Sequence, residues 1–134
     1  MKILLTSSSR HGTTDEVAAV IAEQLRAAGL DVVAEPALTE LAHADSRKAA
    51  RKVVSDVLRH RDVPVALCTH RPVLPSVMEV ISRYAPGKLL RSVPDRDPWL
   101  KTGEIMVVHL ARRPRGRIRA VAIEKQRPVL SEGR

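Results

Sequence analysis

Two short segments carry the residue types that bind or transfer a phosphoryl group. The first, SSSRHGTTDEVA at residues 7–18, places hydroxyls, Arg10 and His11 directly after an apolar run. The second, CTHRPVLP at residues 68–75, follows the apolar run VPVALC and pairs His70 with Arg71. A histidine can act as a nucleophile or as a general acid or base. An arginine beside it can make a forked contact with phosphate oxygens.

The first segment has the composition of a phosphate-binding turn. Hydroxyls donate hydrogen bonds, a glycine lets the backbone approach closely, and a following helix adds free N–H groups at the positive end of its dipole. We predict that the phosphate-binding groups are Ser8, Ser9, Arg10, Gly12, Thr13 and Thr14. The competing interpretation is a capped strand–helix turn in which Arg10 and His11 are merely exposed.

The elements around these segments alternate between strands and helices. Apolar runs predict strands at residues 2–6, 31–34 and 63–68. A helical stripe that includes Val20, Ile21 and Leu25 predicts a helix over 15–28, capped by Thr13 or Thr14 and ended by Gly29. A second helix begins after Asp45 or Ser46 and runs to about His60, and a third runs from Pro72 through Tyr84.

The remaining segments are predicted as loops and a closing pair of strands. Residues 36–44 and 86–103 are predicted loops, and residues 105–110 and 118–124 a hairpin or edge pair joined by RRPRG. This order indicates one α/β domain over 1–134, a three-layer sandwich with a mainly parallel sheet. Ligands of such folds bind beyond the carboxyl ends of the strands, where both segments of interest lie.

Composition restricts the classes of partner. The net charge of +8 favours anionic ligands, whereas an aromatic content of 1% supplies little for stacking on bases or flavins. The basic run at the predicted hairpin turn is interpreted as a solvated turn, so nucleic acid is not an expected partner; it comprises Arg112, Arg113, Arg115, Arg117 and Arg119.

Cysteine and histidine usage indicate a reducing compartment and no metal. Cys68 is alone, so no intrachain disulfide forms, and we predict it to be a buried small hydrophobe. The apolar run at residues 3–5 is too short for a signal peptide or a membrane span, so we expect a cytoplasmic protein. His43, His60 and His109 lack metal-ligand spacing, so no metal is predicted.

The second segment and its surroundings resemble the histidine phosphatase family. ALCTHRPVLP, PALTE at 36–40, DPWLKTGEIMVVHLA and AVAIEKQRP are similar to the C-terminal half of such domains, as fused behind MutT-type Nudix domains, over residues 35–128. No Nudix box is present. The resemblance implies that His70 is the second pocket histidine and Glu40 the proton donor. Arg10-His11-Gly12 has the form of the family's nucleophile motif.

A second alignment to the same family gives Arg10 another role. TSSSRHGTT then matches a later element of the family, in which Arg10 is the second pocket arginine and Thr14 follows four residues on. Under that alignment the nucleophile is missing, and the chain corresponds to the C-terminal part of a phosphatase domain.

Residues 1–34 also resemble the first βαβ unit of flavodoxin-like proteins. The loop of that family cradles the phosphate of FMN, and SRHGTT is similar to it with His11 in place of the usual threonine. The two resemblances together suggest a chimera, natural or engineered, with a seam near residues 30–36 and a tail at 129–134.

The sequence thus supports three functional hypotheses. The leading one is a phosphate-binding, histidine-phosphatase-like domain without cofactor, whose ligand is a phosphate-containing small molecule or nucleotide and whose phosphatase activity, if it is active, is weak and independent of metal. In it His11 is the nucleophile, Arg10 and Arg71 neutralise phosphate oxygens, His70 donates to them, and Glu40 protonates the leaving group. The alternatives are an FMN- or phosphate-binding module without hydrolysis, and a truncated or designed scaffold without activity.

Overall fold

The computed structural model describes residues 2–5, 13–59, 64–101 and 104–127. The chain divides into two compact units, Met1–Val77 and Met78–Arg134. Each unit has a sheet of its own.

The first unit contains a three-stranded parallel sheet. Its strands are β1 (Lys2–Leu5), β2 (Asp31–Ala34) and β3 (Val65–Cys68), in the order β2-β1-β3. The sequence predicts all three strands from their short apolar runs, and the structure confirms them. Because β1 pairs in parallel with both neighbours, the carboxyl ends of the three strands lie at one edge of the sheet.

Four helices accompany this sheet: α1 (Thr13–Ala27), α2 (Glu40–Asp45), α3 (Arg47–Arg59) and α4 (Leu74–Tyr84), the last of which spans the boundary of the units. The predicted loop over 36–44 is wrong, since a 3₁₀ turn at Pro36–Leu38 and then α2 occupy it. A side-chain oxygen caps each of these two elements. The Ala37 N–H donates to Glu35 Oε1 across 3.3 Å, and the Ala42 N–H donates to Thr39 Oγ1 across 3.1 Å.

The helices differ in how well their apolar stripes predict burial. In α3, Ala50, Val54 and Leu58 recur every fourth residue and are buried, as the sequence pattern predicts. In α1, Val20 and Ile21 belong to the helical stripe but are 53% and 44% exposed. The neighbouring Ala22 is buried instead, because a different face of α1 packs against β2.

Gly29 ends α1 as predicted. Its φ of +85° lies in the left-handed region, which costs glycine little and other residues more. The Leu30 N–H donates to the Leu25 carbonyl across 3.0 Å, and the Gly29 N–H donates to the Arg26 carbonyl across 2.9 Å. These two bonds form a Schellman motif, and Leu25 and Leu30 pack against the same small cluster of Ala22 and Val32.

The second unit is built on an antiparallel hairpin. Its strands β4 (Ile105–Arg112) and β5 (Ile118–Gln126) pair with an irregularity between His109 and Leu110, and the short helix α5 (Gly87–Leu90) packs against β5. The hairpin predicted from residues 105–110 and 118–124 is therefore present. Its turn places Arg115 and Gly116 at φ of 67° and 74°.

The chain belongs to the α/β class, with parallel strands in the first unit and antiparallel strands in the second. Within the described ranges, no helix combines the length and the apolar character needed to cross a membrane.

Candidate functional site

The carboxyl ends of the three parallel strands lie at one edge of the first unit's sheet. Leu5, the last residue of β1, pairs with Ala34 at the end of β2 and with Cys68 at the end of β3. The chain passes from β1 to β2 on one side and then to β3 on the other side, so its direction across the sheet reverses at β1. In open α/β sheets this reversal leaves a crevice outside the strand ends, where ligands bind.

Several predicted site residues lie outside the part of the chain that the structure describes. They are Ser8, Ser9, Arg10, His11 and Gly12. On either side of them, β1 ends at Leu5 and α1 begins at Thr13, so Thr13 and Thr14 form the first turn of α1. Backbone N–H groups in that first turn have no partner within the helix itself.

His70 is the described candidate with the most distinctive environment. It precedes the 3₁₀ turn Arg71–Val73 in an extended conformation, and its carbonyl accepts a hydrogen bond from the Val73 N–H across 3.0 Å. The Nε2 atom of His70 is buried, yet no hydrogen-bond partner for it occurs within the described ranges. Leaving such a group unsatisfied costs about 1–3 kcal/mol, so an unpartnered buried ring nitrogen points to a ligand or to a neighbouring group.

Thr69 ties the segment after β3 to the segment after β2. Its hydroxyl donates a hydrogen bond to the Leu38 carbonyl across 2.8 Å. Glu40 begins α2 two residues after Leu38, and α2 packs against the 3₁₀ turn that follows His70. The structure therefore brings the backbone at Glu40 and the segment carrying His70 to the same edge of the sheet.

Cys68 and Arg71 stand on either side of Thr69 and His70 in the sequence, and both are exposed. The prediction that Cys68 is buried is wrong, because this last residue of β3 is exposed. Partial desolvation there still raises the pKa of the Cys68 thiol above its ordinary value, which disfavours the thiolate.

The first unit also contains a buried polar pair that the sequence does not predict. His43 Nε2 and Ser76 Oγ are 2.7 Å apart, joining α2 to α4 within the first unit. Burial first, and then the positive charges of Arg47 and Arg51, lower the pKa of His43 below its ordinary value. A neutral imidazole bonded to a hydroxyl holds the two helices together, which is a structural role.

Sequence reasoning missed Thr69 and the His43–Ser76 pair for the same reason. Each depends on a contact between residues more than 30 positions apart, and no local sequence pattern predicts such a contact. The one available signal was position, since Thr69 immediately precedes His70 at a strand end.

Neither a search for metal-ligand clusters nor a comparison with known proteins assigns a function to this site. Over the described residues, no group of three or more His, Cys, Asp or Glu side chains is placed to hold a metal ion. No protein-family model matches the chain, and no curated protein matches its sequence.

Proposed function

We propose that the chain binds a phosphate group at the carboxyl edge of its parallel sheet and hydrolyses a phosphate monoester. The observation that supports this most is the position of β1 between β2 and β3, with Leu5 opposite Cys68. The segment with Arg10-His11-Gly12 follows Leu5, and His70 follows Cys68 by two residues. Two histidines that leave adjacent parallel strands at one edge suit a pocket with one nucleophile and one donor.

In the proposed reaction a ring nitrogen of His11 attacks phosphorus, and the bond from phosphorus to the leaving oxygen breaks. Glu40 gives its proton to that oxygen, which leaves as an alcohol. Water then attacks the phosphohistidine while the Glu40 carboxylate takes a proton from it, and inorganic phosphate and free His11 result. Arg10 and Arg71 balance the charge on the phosphoryl oxygens, so the reaction needs no metal.

The Nε2 atom of His70, which has no hydrogen-bond partner among the described residues, supports the proposed role of this side chain. The buried Nε2 atom gains a partner when a phosphoryl oxygen lies within hydrogen-bond distance. As charge develops on that oxygen in the transition state, a fixed donor stabilises it more than it stabilises the substrate. The free energy lost by keeping Nε2 unsatisfied is thus recovered when the phosphate binds.

The proposal also includes a three-layer arrangement, with helices on both faces of the parallel sheet, and a cytoplasmic location. The three-layer arrangement is inferred from the alternation of strands and helices, and the cytoplasmic location from the single cysteine, Cys68. The substrate class is a phosphorylated small molecule or nucleotide, since the positive chain attracts anions.

The first experiment is hydrolysis of an aryl phosphate by purified protein in the presence of a metal chelator. His11→Ala and His70→Ala are each expected to abolish turnover, whereas His109→Gln, on the hairpin of the second unit, leaves turnover unchanged. A transient phosphoryl label on the protein that survives base and is lost in acid identifies the phosphohistidine. Full activity in both alanine variants contradicts the mechanism.

Glu40 is tested by changing the leaving group. Glu40→Gln slows hydrolysis of an alkyl phosphate, whose leaving oxygen needs a proton, much more than hydrolysis of a nitrophenyl phosphate, whose leaving oxygen does not. Equal slowing for both substrates contradicts a role for Glu40 as proton donor.

A second candidate is a flavodoxin-like module that binds FMN without hydrolysis. It is favoured by the parallel β1-α1-β2 unit, in which a 15-residue helix connects adjacent strands. Quenching of FMN fluorescence by a protein without phosphatase activity supports this candidate. Absence of both FMN binding and turnover supports the third hypothesis, an inactive scaffold.

A further inference from the structure

The charge of the chain is concentrated in its second unit. Residues 78–134 contain 13 Lys and Arg against 6 Asp and Glu, a difference of +7, whereas residues 1–77 contain 10 against 9, a difference of +1. Almost all of the net charge of +8 therefore belongs to the hairpin unit, which carries none of the proposed phosphatase residues. A separate anionic partner for this unit would explain that asymmetry.

Two positive clusters lie at opposite ends of the hairpin. The tip arginines surround its turn, and all of them are exposed: Arg112, Arg113, Arg115, Arg117 and Arg119. The base cations border a groove at the other end and are exposed as well: Arg96, Lys101, Lys125 and Arg127. The eight residues of β4 separate the two ends by about 25 Å.

The groove at the base also contains the only tryptophan of the chain. Trp99, the base cations, Glu104 and neighbouring prolines line an open space of about 250 Å³. Trp99 is partly exposed, and its φ of 57° is uncommon for a bulky residue. Nucleobases stack on aromatic rings of this kind in proteins that bind single strands, where neighbouring cations contact the phosphates.

The acidic groups of the groove do not cancel its positive charge. Glu104 is engaged on both carboxylate oxygens, since Oε1 accepts the Lys101 N–H across 3.3 Å and Oε2 accepts Arg127 Nε across 3.0 Å. The Glu104 side chain is only 4% exposed, while that of Arg127 remains 69% exposed. Asp95 lies 4.0 Å from Arg96 with both side chains in solvent, a contact of little strength.

We infer that the hairpin unit binds single-stranded nucleic acid, with phosphates along the tip arginines and base cations and a base stacked on Trp99. This departs from the expectation drawn from composition, because the folded chain puts an aromatic ring beside the cations at the base of the hairpin. A duplex keeps its bases stacked on one another, so a stacking platform favours an unpaired strand. The RRPRGR turn has no large apolar or aromatic side chain to insert into a membrane.

The test uses the full chain and a labelled oligothymidylate about 12 nucleotides long. Because Trp99 is the only tryptophan, quenching of its fluorescence on addition of the oligonucleotide reports contact at the groove directly. Trp99→Asn, in which the new residue tolerates a positive φ, is expected to weaken binding by at least about fivefold. Strong binding without any quenching overturns the role of Trp99.

A charge-matched pair of variants separates a specific surface from general attraction. Arg113→Ser, Arg115→Gly and Arg117→Ser together remove three tip arginines, and glycine suits the positive φ of Arg115. Lys48→Gln, Lys52→Gln and Arg59→Gln remove three exposed cations from α3. The slope of the logarithm of the association constant against the logarithm of the salt concentration should become less negative by about 2 in the tip variant and should not change in the α3 variant.

Three outcomes overturn the inference. Equal weakening by the tip variant and the α3 variant means that total charge alone attracts the strand. Equal or tighter binding of a duplex of the same length excludes an unpaired strand as the preferred partner. Tighter binding to vesicles of phosphatidylserine than to the oligonucleotide assigns the surface to anionic lipid. None of these results depends on whether the first unit hydrolyses a phosphate ester.

Discussion

The hydroxyl of Thr69 donates a hydrogen bond to the carbonyl of Leu38 across 2.8 Å, joining the segments that follow β3 and β2. Leu38 is fully buried, so its carbonyl has little access to water as a substitute partner. This single bond links the segment that carries His70 to the segment that leads into Glu40. It therefore has consequences for stability and, under the proposed function, for activity.

We expect Thr69→Val to lower the free energy of unfolding by about 1–3 kcal/mol, because the Leu38 carbonyl loses its partner in a buried site. Thr69→Ser keeps the hydroxyl and should cost less than Thr69→Val. Urea unfolding followed by far-ultraviolet circular dichroism measures both. Equal stability of the valine variant and the wild type contradicts the importance of this bond.

The His43–Ser76 pair makes the first unit sensitive to acid. The pKa of His43 is lowered in the folded state, so below the ordinary value of 6.5 the unfolded chain binds a proton more readily than the folded chain. Stability from this group is complete above about pH 6.5 and is lost as pH falls toward the folded pKa. The loss from one proton cannot exceed about 1.4 kcal/mol per pH unit.

Urea midpoints measured at pH 7.5 and at progressively lower pH test this sign. His43→Gln should be less stable than the wild type at pH 7.5 but should lose less of its stability between pH 6.5 and 5. His109→Gln is the matched control, because His109 is exposed and lies on the hairpin. A wild-type protein whose stability rises on acidification through this range contradicts the prediction.

The sequence predicts elements whose cause is local and misses those that depend on distant contacts. Gly29 ends α1 because its backbone conformation is a property of glycine itself, visible without a fold. Val20 and Ile21 have helical spacing, yet spacing alone cannot say which part of a stripe meets the sheet. Pro36 indicates a loop, although Glu35 and Thr39 supply the caps that allow short helical turns.

The same distinction applies to the candidate site. The position of His70 could be predicted, because a residue that directly follows an apolar strand lies at the carboxyl edge of a parallel sheet. Its neighbours could not, since Thr69 meets Leu38 only once β2 and β3 flank β1. The groove around Trp99 is another such case, because it joins residues 94–101 to the end of β5.

Two glycines provide a matched test of backbone conformation. Gly29→Ala should lower the free energy of unfolding by about 1 kcal/mol, because a φ of +85° is strained for alanine. The new Cβ meets no atom within 4 Å, so the backbone strain is the whole of the expected effect. Gly87→Ala, at the start of α5, also meets no atom and requires no positive φ. It should be neutral or stabilising by up to about 1 kcal/mol. Thermal unfolding of both variants measures the difference in stability. Equal destabilisation by the two substitutions would refute the prediction.

Glu104 connects the start of β4 to the end of β5, because it accepts hydrogen bonds from Arg127 Nε and from the Lys101 N–H. The hydrogen bond from Arg127 is the main cause that holds the pKa of Glu104 below its ordinary value, with the Lys101 N–H also contributing. The folded state therefore favours the ionised carboxylate. Its contribution to stability is present above about pH 4.5 and is lost as pH falls through the folded pKa.

Glu104→Gln should lower the urea midpoint of the second unit at pH 7 and remove part of its acid dependence below pH 4.5. Trp99 fluorescence is the measurement, because this tryptophan lies beside Glu104 and belongs to the same unit. Asp95→Asn is the control, since the Asp95 carboxylate is 87% exposed and makes only a 4.0 Å contact with Arg96. The control should keep the wild-type midpoint, because an exposed ion pair of that length contributes little. If Asp95→Asn and Glu104→Gln shift the midpoint equally, the loss reflects the charge of the unit and not the bond between Glu104 and Arg127.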